Sequence, residues 1–564
     1  MPRIGVFICH CGHNIAATVD VEKVVQFART LPNVVFSSHN LYSCSEEGLA
    51  AIRKGIEENK LDRVVVAACT PRTHEPLFRR NCERAGVNKY LFEFVNIREH
   101  CSWIHANEPE AATKKAMNLV AMGVAKAALL QPQTEGESNV IPVALVIGGG
   151  IAGLAAASAL VSQGIETHIV EKESALGGML REVHVIGPDM VDSRTLIDEY
   201  VKALERSPKA HIHLSSKISD LSGFIGNFEA TISDGRCDEK VKVGTIIVAT
   251  GGRELVPASG EFGYGSLPNV ITQLELERRL ARGEIPKSAV FIQCVGCRQP
   301  GREFCSRICC NASIKNAIRI LRAEPDASVS LLHRDIMSYG TAAERAYREA
   351  SERGVNFIRF GLDRPPVVRR DGNRLTVAVF DENLEHELRI DTDLVVLATP
   401  IVPVEDVKEL AKLLKVPIDR HGFFLEAHVK LRPVEFATEG IFICGSARWP
   451  SSVSECIAQG LASAAKASIP IREGRVIIEP ITAYSDPEKC IACGNCVLAC
   501  PYEAIAIVLF DGKRKAKVNE AKCKGCGNCV AACHNDAMEQ KGFDTRQLGA
   551  MIDALIKSAL EVSQ

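Results

Sequence analysis

Two identically spaced runs of four cysteines constrain the fold of this chain more than any other feature of its sequence. The runs comprise Cys490, Cys493, Cys496 and Cys500, and then Cys523, Cys526, Cys529 and Cys533. Two residues between successive cysteines allow one tight loop to direct three thiolates at a single iron–sulfur cube. A chain of 564 residues with 22 cysteines is better suited to metal binding than to a disulfide framework. The runs therefore predict iron–sulfur clusters.

The same spacing is found in bacterial two-cluster ferredoxins, in which the fourth cysteine of each run ligates the other cluster. One [4Fe–4S] cluster is accordingly assigned to Cys490, Cys493, Cys496 and Cys533. The second is assigned to Cys523, Cys526, Cys529 and Cys500. Two structural zinc sites are the alternative, because four thiolates also suit zinc. His534 stands where a proline usually follows the last cysteine, a departure that leaves the ligands unchanged.

A glycine-rich turn, Gly148-x-Gly150-x-x-Gly153, indicates a dinucleotide site. It lies between a strand predicted at 143–147 and a helix predicted at 151–163, and a second strand at 167–170 ends in an acidic residue. The glycines allow a pyrophosphate to approach the positive end of the helix, and Glu171 would bond a ribose hydroxyl. The expected nucleotide contacts here are Gly148, Gly150, Ile151, Ala152, Gly153, Glu171 and Lys172. A tight turn without a nucleotide is the alternative.

Three later segments favour FAD over NAD as that nucleotide. Gly177 and Gly178 follow the acid as they do in thioredoxin-reductase-like flavoproteins. A buried strand predicted at 246–251 ends at Thr250 and Gly251, where such chains leave the FAD domain. A late strand at 440–447 contains Gly445 and Ser446 and would return the chain beneath the flavin. Together these segments predict a two-lobed, thioredoxin-reductase-like FAD domain.

The nested second lobe departs from that pattern, because cysteines stand where a nicotinamide-binding protein would carry a second glycine fingerprint. A strand predicted at 289–293 leads directly into them: Cys294, Cys297, Cys305, Cys309 and Cys310. Adjacent residues of a helix point about 100° apart, so the last two reach one cluster only if the helix starts there. The segment predicts a third [4Fe–4S] site, with buried small hydrophobes as the alternative. A nicotinamide-linked oxidoreductase is disfavoured.

The first 135 residues alternate between strands and helices, which indicates a Rossmann-like parallel sheet. Strands are predicted at 4–8, 34–37, 64–68 and 90–94, and helices at 21–29, 46–58 and 108–129. Cysteines follow the ends of the strands, where parallel sheets bind ligands: Cys9, Cys11, Cys44, Cys69 and Cys101. We expect them to hold a further cluster, with isolated structural cysteines as the rival interpretation. Cys82 falls within a probable helix and fits less well.

These segments together resemble the A-subunit family of heterodisulfide reductases along nearly the full length of the chain. The resemblance rests on residues 5–12, 65–72, 96–99, 145–153, 292–296, 305–310 and 423–428. The two most specific segments are Cys305-Ser306-Arg307-Ile308-Cys309-Cys310 and Phe423-Phe424-Leu425-Glu426-Ala427-His428. The resemblance implies an FAD that takes two electrons and can divide them between a high- and a low-potential acceptor. It also implies that Lys315 lies near the reactive nitrogen of the flavin, with a solvated helix face as the alternative.

The resemblance further implies that the chain is the electron-transfer hub of a larger complex. Expected partners are disulfide- or substrate-reducing subunits, hydrogenase-, formate dehydrogenase- or ferredoxin-type donors, and a second copy of the complex. Two hypotheses remain open: flavin-based electron bifurcation or confurcation, and one-way transfer to a partner that reduces acyl thioesters, folates or sulfur compounds. The ferredoxin insert that many relatives carry in the FAD domain is absent after residues 221–228, and Cys297 replaces a usual serine.

Charge and hydropathy restrict the binding partners and the cellular location that we expect for this chain. The net charge of −2 gives no electrostatic case for binding nucleic acid, and no apolar run approaches the length that spans a bilayer. We therefore expect a cytoplasmic protein that is not integral to a membrane. The predicted domains are 1–138 (α/β), 139–475 (FAD, with the nested lobe at about 255–400), 476–541 (ferredoxin-like) and 542–564 (a C-terminal helix).

Overall fold

A four-stranded parallel sheet organises the N-terminal residues. Its strands, in the spatial order β2-β1-β3-β4, are β1 (Ile4–Cys9), β2 (Val34–Asn40), β3 (Arg63–Ala68) and β4 (Phe92–Asn96). The helices between and after them are α1 (Val21–Thr30), α2 (Glu46–Asn59), α3 (Pro71–Arg84) and α4 (Pro109–Leu129). Strand β4 starts later than predicted because Asn88 Oδ1 accepts a bond from Tyr90 N and holds a turn there. The predicted α/β alternation is confirmed.

The computed structural model describes residues 1–372 and 374–561, and it divides into two units. One unit joins Met1–Ser138 to Ile477–Gln564, and the other is Asn139–Val476. The sequence predicted separate N- and C-terminal domains, and it did not predict that these two ends of the chain fold together.

The flavin-type lobe of the second unit begins with a parallel sheet and an antiparallel one. Five strands form the parallel sheet, in the order β7-β6-β5-β11-β20: β5 (Val143–Ile147), β6 (Glu166–Val170), β7 (Ala210–His213), β11 (Thr245–Val248) and β20 (Ile441–Ile443). The antiparallel sheet contains β8 (Lys217–Phe224), β9 (Asn227–Ser233) and β10 (Asp238–Val243). Helices α5 (Ile151–Ser162) and α6 (Ser193–Glu205) connect the parallel strands.

A second lobe is inserted between β11 and β20. Its parallel sheet has the order β12-β19-β13-β14-β15, with β12 (Val270–Thr272), β13 (Ser288–Ile292), β14 (Ser328–His333), β15 (Asn356–Arg359) and β19 (Leu394–Leu397). A small antiparallel sheet adds β16 (Val367–Asp371), β17 (Arg374–Asp381) and β18 (His386–Thr392). The lobe's helices are α7 (Gln273–Ala281), α8 (Cys309–Ala323) and α9 (Thr341–Glu352). Paired short strands, Gly252–Glu254 and Ile401–Pro403, mark where the chain enters and leaves.

After the nested lobe, α10 (Val407–Leu414) precedes β20, and α11 (Val453–Glu473) packs on α5. The contact is close: a Cβ at Gly460 would lie 2.5 Å from the carbonyl oxygen of Ala152. Glycine at this point therefore lets α11 approach the beginning of α5, which is the residue run predicted to hold the nucleotide.

The cysteine-rich C-terminal part is built from short elements with an internal repeat. They are β21 (Ala483–Ser485), α12 (Asn495–Ala499), β22 (Ile505–Phe510), β23 (Lys513–Val518), α13 (Asn528–Ala531) and β24 (Met538–Gln540). Helix α14 (Thr545–Glu561) follows, and the last three residues of the predicted 542–564 helix lie outside the described part. Gln547 Nε2 donates to Leu129 O and Ser558 Oγ to Asn118 Oδ1, which attaches α14 to α4. Among the described residues, no helix combines the length and apolarity that crossing a membrane requires.

Candidate functional site

Two cavities in the C-terminal part contain the cysteines of the repeated runs. Cys490, Cys493, Cys496 and Cys533 line the first cavity, and Cys500, Cys523, Cys526 and Cys529 line the second. Each cavity thus takes three thiols from one run and the last thiol of the other, the exchange that the spacing predicted. The donor set of each cavity, four thiols around one space, fits a [4Fe–4S] cluster.

Backbone N–H groups point at four of these sulfurs. Ala516 N and Ala537 N lie 3.3 Å from Cys490 Sγ and Cys533 Sγ, which belong to the first cavity. Ala504 N lies 3.3 Å from Cys500 Sγ and Ala483 N lies 3.4 Å from Cys523 Sγ, in the second. Such donors stabilise thiolate charge, and hydrogen bonds to sulfur are one factor that sets a cluster's potential.

The five cysteines of the nested lobe converge on one place. The pKa of the Cys294 thiol is lowered, because Cys297 donates to its sulfur and because Arg334 and Arg298 lie nearby. Burial raises the pKa of the Cys310 thiol to about 11, and Cys294 and Cys305 lie close enough to raise it further. Cys305 Sγ accepts a bond from Arg307 N at 3.3 Å. The group therefore combines convergent sulfurs with nearby guanidinium charge, which suits an anionic cluster.

Helix α8 begins at Cys309, as two adjacent ligands would require. Cys309 Sγ lies 3.3 Å from Thr399 O, whereas Cys310 Sγ lies 3.8 Å from Asp335 O, so the two side chains diverge. Gln273 Nε2 donates to the carbonyl oxygen of Cys309 at 3.1 Å and fixes the first turn of the helix. Both thiols remain beside Cys294 and Cys305.

Four of the five predicted N-terminal cysteines lie together at the carboxyl edge of the first sheet. Burial raises the pKa of the Cys69 thiol to about 11, and Cys11, Cys9 and Cys44 lie close enough to raise it further, whereas Arg98 lowers it. Arg98 Nη1 donates to Cys11 Sγ at 3.5 Å. Four thiols and one guanidinium in this arrangement fit a further cluster.

Cys101 does not join this group, contrary to expectation. It lies in a π-helical turn, Arg98–Ser102, and its thiol donates to Ala112 O at 3.0 Å. Its neighbours are the apolar residues of α4, so it packs as a small hydrophobe. Cys82, on α3, is likewise in the core of the sheet's other face.

The glycine-rich turn forms a cradle before α5. A Cβ at Gly148 would lie 2.4 Å from Ala249 O, and one at Gly153 would lie 1.9 Å from Gly148 O, so both positions require glycine. A Cβ at Gly150, in contrast, would meet nothing within 4 Å. Gly150 is the N-cap residue of α5, with Ile151 and Ala152 in the first turn. Open space at the positive end of a helix fits a pyrophosphate.

The other predicted flavin residues surround the same turn. Gly177 N donates to Gly149 O at 2.8 Å, and Gly178 would place a Cβ 3.1 Å from Gly150 Cα. Thr250 Oγ1 is buried and has no partner among the described residues, and Gly251 faces open space. Gly445 N donates to Gln459 Oε1 on α11, and Ser446 Oγ accepts from Ser451 N in the turn that leads into α11. A buried hydroxyl without a partner beside an open glycine cradle fits a bound FAD.

Glu171 and Lys172 directly follow β6, and both side chains have partners within the protein. Glu171 is buried, and its carboxylate accepts bonds from Gly149 N at 2.6 Å and Glu173 N at 2.9 Å, so it braces the glycine turn. Each carboxylate oxygen accepts one of these bonds and keeps capacity for another, so the predicted bond to a ribose hydroxyl stays a prediction. Lys172 is half-exposed, and its ammonium lies 3.9 Å from Asp406.

Lys315 is buried on α8, so the solvated-face alternative is wrong. Its ammonium pairs with Glu277 and donates to Val185 O at 3.0 Å. Glu277 is equally buried and also accepts from Arg319 Nη1 at 2.8 Å. Burial lowers the pKa of Lys315, and the carboxylate of Glu277 opposes that shift.

Comparison with known proteins identifies the family. Residues 143–460 match the pyridine nucleotide-disulphide oxidoreductase model, and residues 483–539 match the 4Fe-4S dicluster domain model. The A-subunit of the H(2):CoB-CoM heterodisulfide,ferredoxin reductase of Methanothermobacter marburgensis is 38% identical, over 98% of this chain and 97% of its own length. The iron-sulfur A-subunit of the CoB–CoM heterodisulfide reductase of Methanocaldococcus jannaschii is 37% identical over 99% of both chains. This chain belongs to the A-subunit family of heterodisulfide reductases.

Membership makes the chain an iron–sulfur flavoprotein oxidoreductase with an electron-transfer role, which confirms the resemblance noted in the sequence. The alignment with the M. marburgensis protein runs over 649 positions although this chain has 564 residues, so that protein carries segments which this member of the family lacks. A thioredoxin reductase structure from Lactococcus lactis covers 59% of the chain and 100% of its own, at 18% identity and a TM-score of 0.41.

Sequence reasoning missed several charged residues that this family member places at its sites. They are Arg98, Glu254, Glu277, Arg298 and Arg334. Glu254 is largely buried, which raises its pKa to about 7, and it accepts a bond from Thr272 Oγ1 at 2.8 Å. The sequence offers a signal for two of them only, because Arg98 and Arg298 lie within a few residues of predicted ligands.

A pair of glycine substitutions tests the flavin cradle. We expect Gly150→Ala to leave folding intact but to reduce FAD content severalfold, because its methyl group would enter the space left for the pyrophosphate. Gly153→Ala should instead destabilise the protein, because its Cβ collides with Gly148 O. FAD-to-protein ratios and thermal unfolding of the two variants measure the difference. Full FAD occupancy in a well-folded Gly150→Ala variant would contradict this location of the cofactor.

Proposed function

We propose that this chain is the flavin hub of a heterodisulfide-reductase-like complex, carrying one FAD and four [4Fe–4S] clusters. The observation that carries the proposal is the arrangement of seventeen thiols in four groups, together with one glycine cradle among the described residues. A flavin exchanges two electrons with a donor and passes them singly to clusters. One two-electron site and several one-electron sites on one polypeptide are the parts that such a hub requires.

The ligand assignments follow the convergent groups. Two clusters belong to the cavities of the C-terminal part, with the crossed sets Cys490, Cys493, Cys496, Cys533 and Cys523, Cys526, Cys529, Cys500. A third belongs to four of Cys294, Cys297, Cys305, Cys309 and Cys310, which are mutual neighbours. The fourth belongs to Cys9, Cys11, Cys44 and Cys69, whose mutual proximity supports it.

Arginine side chains lie beside two of the cysteine groups and favour negative charge there. Arg298 Nη1 lies 3.9 Å from Cys294 Sγ, and Arg334 holds the carbonyl oxygens of Cys297 and Arg298 at 2.8 and 2.7 Å. In the N-terminal group, Arg98 Nη1 donates to Cys11 Sγ, and the carboxylate of Glu99 pairs with Arg98 at 2.8 Å. Fixed cations beside a cluster favour its reduced form, so these residues would raise the local potentials.

Bifurcation or confurcation of electrons is the first candidate activity. It is supported by the family and by the presence of several cysteine groups on a chain with one flavin cradle. A related M. marburgensis protein is named as part of a heterodisulfide,ferredoxin reductase, and one from Methanosarcina acetivorans as part of a ferredoxin/F(420)H(2)-dependent heterodisulfide reductase. We propose that partner proteins of these kinds bind this chain and that substrate reduction takes place on them.

One-way transfer to a partner reductase is the second candidate. The segments that the M. marburgensis protein has and this chain lacks favour it, because the family resemblance implies a ferredoxin insert after residues 221–228, and this chain forms a three-stranded antiparallel sheet there instead. A chain without that insert has one route fewer by which electrons leave the flavin, so there are fewer acceptors to which the two electrons of a pair can be sent separately.

An anaerobic redox titration of the cluster-loaded protein separates the two candidates. Bifurcation requires the flavin to titrate as a single two-electron step, so absorbance should fall in one transition without an organic-radical signal in electron paramagnetic resonance. Accumulation of a stable radical over a wide potential range would favour the one-way candidate. A protein that contains zinc in place of iron and no flavin, after anaerobic preparation, would reject both.

A further inference from the structure

Three histidines and two glutamates gather on one edge of the flavin-type lobe. Glu166 and His168 lie two residues apart on β6, and His211 and His213 lie two residues apart on the edge strand β7. Alternate residues of a strand point to the same face. The parallel register pairs His211 with His168, so these side chains are direct neighbours across the sheet.

The distances among three of these residues approach those of a metal site. His211 Nε2 lies 3.1 Å from Glu166 Oε1, and the rings of His168 and His211 stack with centroids 4.7 Å apart. One donor atom from each of Glu166, His168 and His211 falls within 4.8 Å of the other two. Ligands about 2.0–2.1 Å from a tetrahedral zinc ion are separated by about 3.3 Å, so small side-chain rotations would close the site.

An outer shell is already in place behind His168. Its Nδ1 lies 2.9 Å from His213 Nε2, and His213 Nδ1 lies 3.7 Å from Glu239 Oε2. Metal-bound histidines usually use their second nitrogen in this way, because the outer partner fixes the orientation of the ring. The bond leaves His168 Nε2 available for a ligand. His168 itself is 9% exposed while His211 and Glu166 are half-exposed, so an ion could enter from solution.

From this geometry we infer that Glu166, His168 and His211 form a divalent transition-metal site, with zinc as the ion. Two imidazoles and one carboxylate suit zinc, whereas calcium and magnesium prefer oxygen ligands alone. The site shares no residue with any of the cysteine groups assigned to clusters, so it is not part of the iron–sulfur chain. A solvent molecule would complete the coordination.

The site is linked to the nucleotide turn through the backbone. Glu171, which braces Gly149, directly follows β6, and its N–H donates to His213 O at 2.9 Å. A metal that ties β6 to β7 would restrain the strand ends that carry this bond. We therefore expect zinc to slow FAD release from the protein.

Zinc uptake by the iron- and FAD-loaded chain tests the site. The protein is dialysed anaerobically against zinc sulfate buffered by a weak chelator, and zinc, iron and FAD are then measured per chain. We expect about one zinc per wild-type chain with iron unchanged, and at least a tenfold weaker affinity in His168→Gln and His211→Gln. His386→Gln is the matched control, because His386 is an exposed hairpin residue whose Nδ1 lies 3.2 Å from Leu384 O.

Three outcomes would overturn the inference: equal zinc uptake by wild type and both variants, no uptake by wild type, or uptake accompanied by loss of iron. The last would place zinc on thiols. His211→Gln guards against misfolding, since His211 is half-exposed and its loss should leave the circular dichroism spectrum unchanged. An FAD release rate that is insensitive to zinc would refute the link to Glu171 while leaving the metal site intact.

Discussion

Cys533→Ala is expected to damage the cluster of the first cysteine run and to spare that of the run to which Cys533 belongs in sequence. The reason is that Cys533 lines the cavity of Cys490, Cys493 and Cys496. Losing one of four thiolates should release between about one and four irons per chain, because the cluster either loses its unligated corner or is not retained. Iron analysis and electron paramagnetic resonance of the reduced protein measure this.

Double variants test whether the fourth cysteine of each run ligates the cluster of the other run. Cys533→Ala combined with Cys490→Ala should cost little more than the worse single variant, because both residues line the first cavity. Cys533→Ala combined with Cys523→Ala should affect both clusters, because Cys523 lines the second cavity. Cys237→Ala, an exposed cysteine outside every group, is the control and should retain all iron. The opposite pattern of additivity would mean that each run holds its own cluster.

The crossed cysteine sets could be expected from sequence because the repeated spacing is that of two-cluster ferredoxins, in which the fourth cysteine of each run ligates the other cluster. The N-terminal group was also partly predictable, because the carboxyl ends of parallel strands share one edge of a sheet. Cys101 was misplaced because a π-helical turn, Arg98–Ser102, intervenes after β4 and points its thiol toward Ala112. Nothing in the periodicity of the sequence marks such a turn.

Contacts between residues that are far apart in the chain could not be predicted from the sequence. The nucleotide turn was recognised from its glycines, but the carboxylate of Glu171 binds backbone N–H groups of Gly149 and Glu173, a choice that depends on how β6 ends. The association of residues 1–138 with the C-terminal part depends on contacts such as the ammonium of Lys126 over the ring of Phe543, 3.6 Å from its centroid. Residues more than 400 positions apart leave no local pattern that predicts such a contact.

Glu277→Gln is expected to destabilise the second unit strongly. Glu277 and Lys315 are each 3% exposed at the side chain, and Glu277 also pairs with Arg319. Replacing the carboxylate by an amide leaves a buried ammonium with neutral acceptors alone, the new amide oxygen and Val185 O, and breaking a buried charge pair in this way costs about 3–5 kcal/mol. Lys315→Met should cost less, about 1–2 kcal/mol, because Arg319 still neutralises Glu277 and the methionine fills the space. Urea unfolding followed by circular dichroism and by flavin release measures both.

The pH dependence distinguishes a buried charge from a packing defect. Burial depresses the folded-state pKa of Lys315 below the ordinary 10.5, and loss of Glu277 depresses it further. A base with a depressed pKa in the folded state destabilises that state at pH values below the depressed pKa, where the amine is charged in both states. The penalty declines as pH rises through the depressed pKa and disappears near the unfolded value. The deficit of Glu277→Gln relative to wild type should therefore shrink between pH 7 and about pH 10, whereas that of Lys315→Met should grow as pH rises through the depressed pKa of Lys315, because only wild type then loses the penalty of the buried charge. A deficit of Glu277→Gln that is independent of pH would show that Lys315 carries no charge in the folded protein, and it would remove the basis for a cation that stabilises reduced flavin at this position.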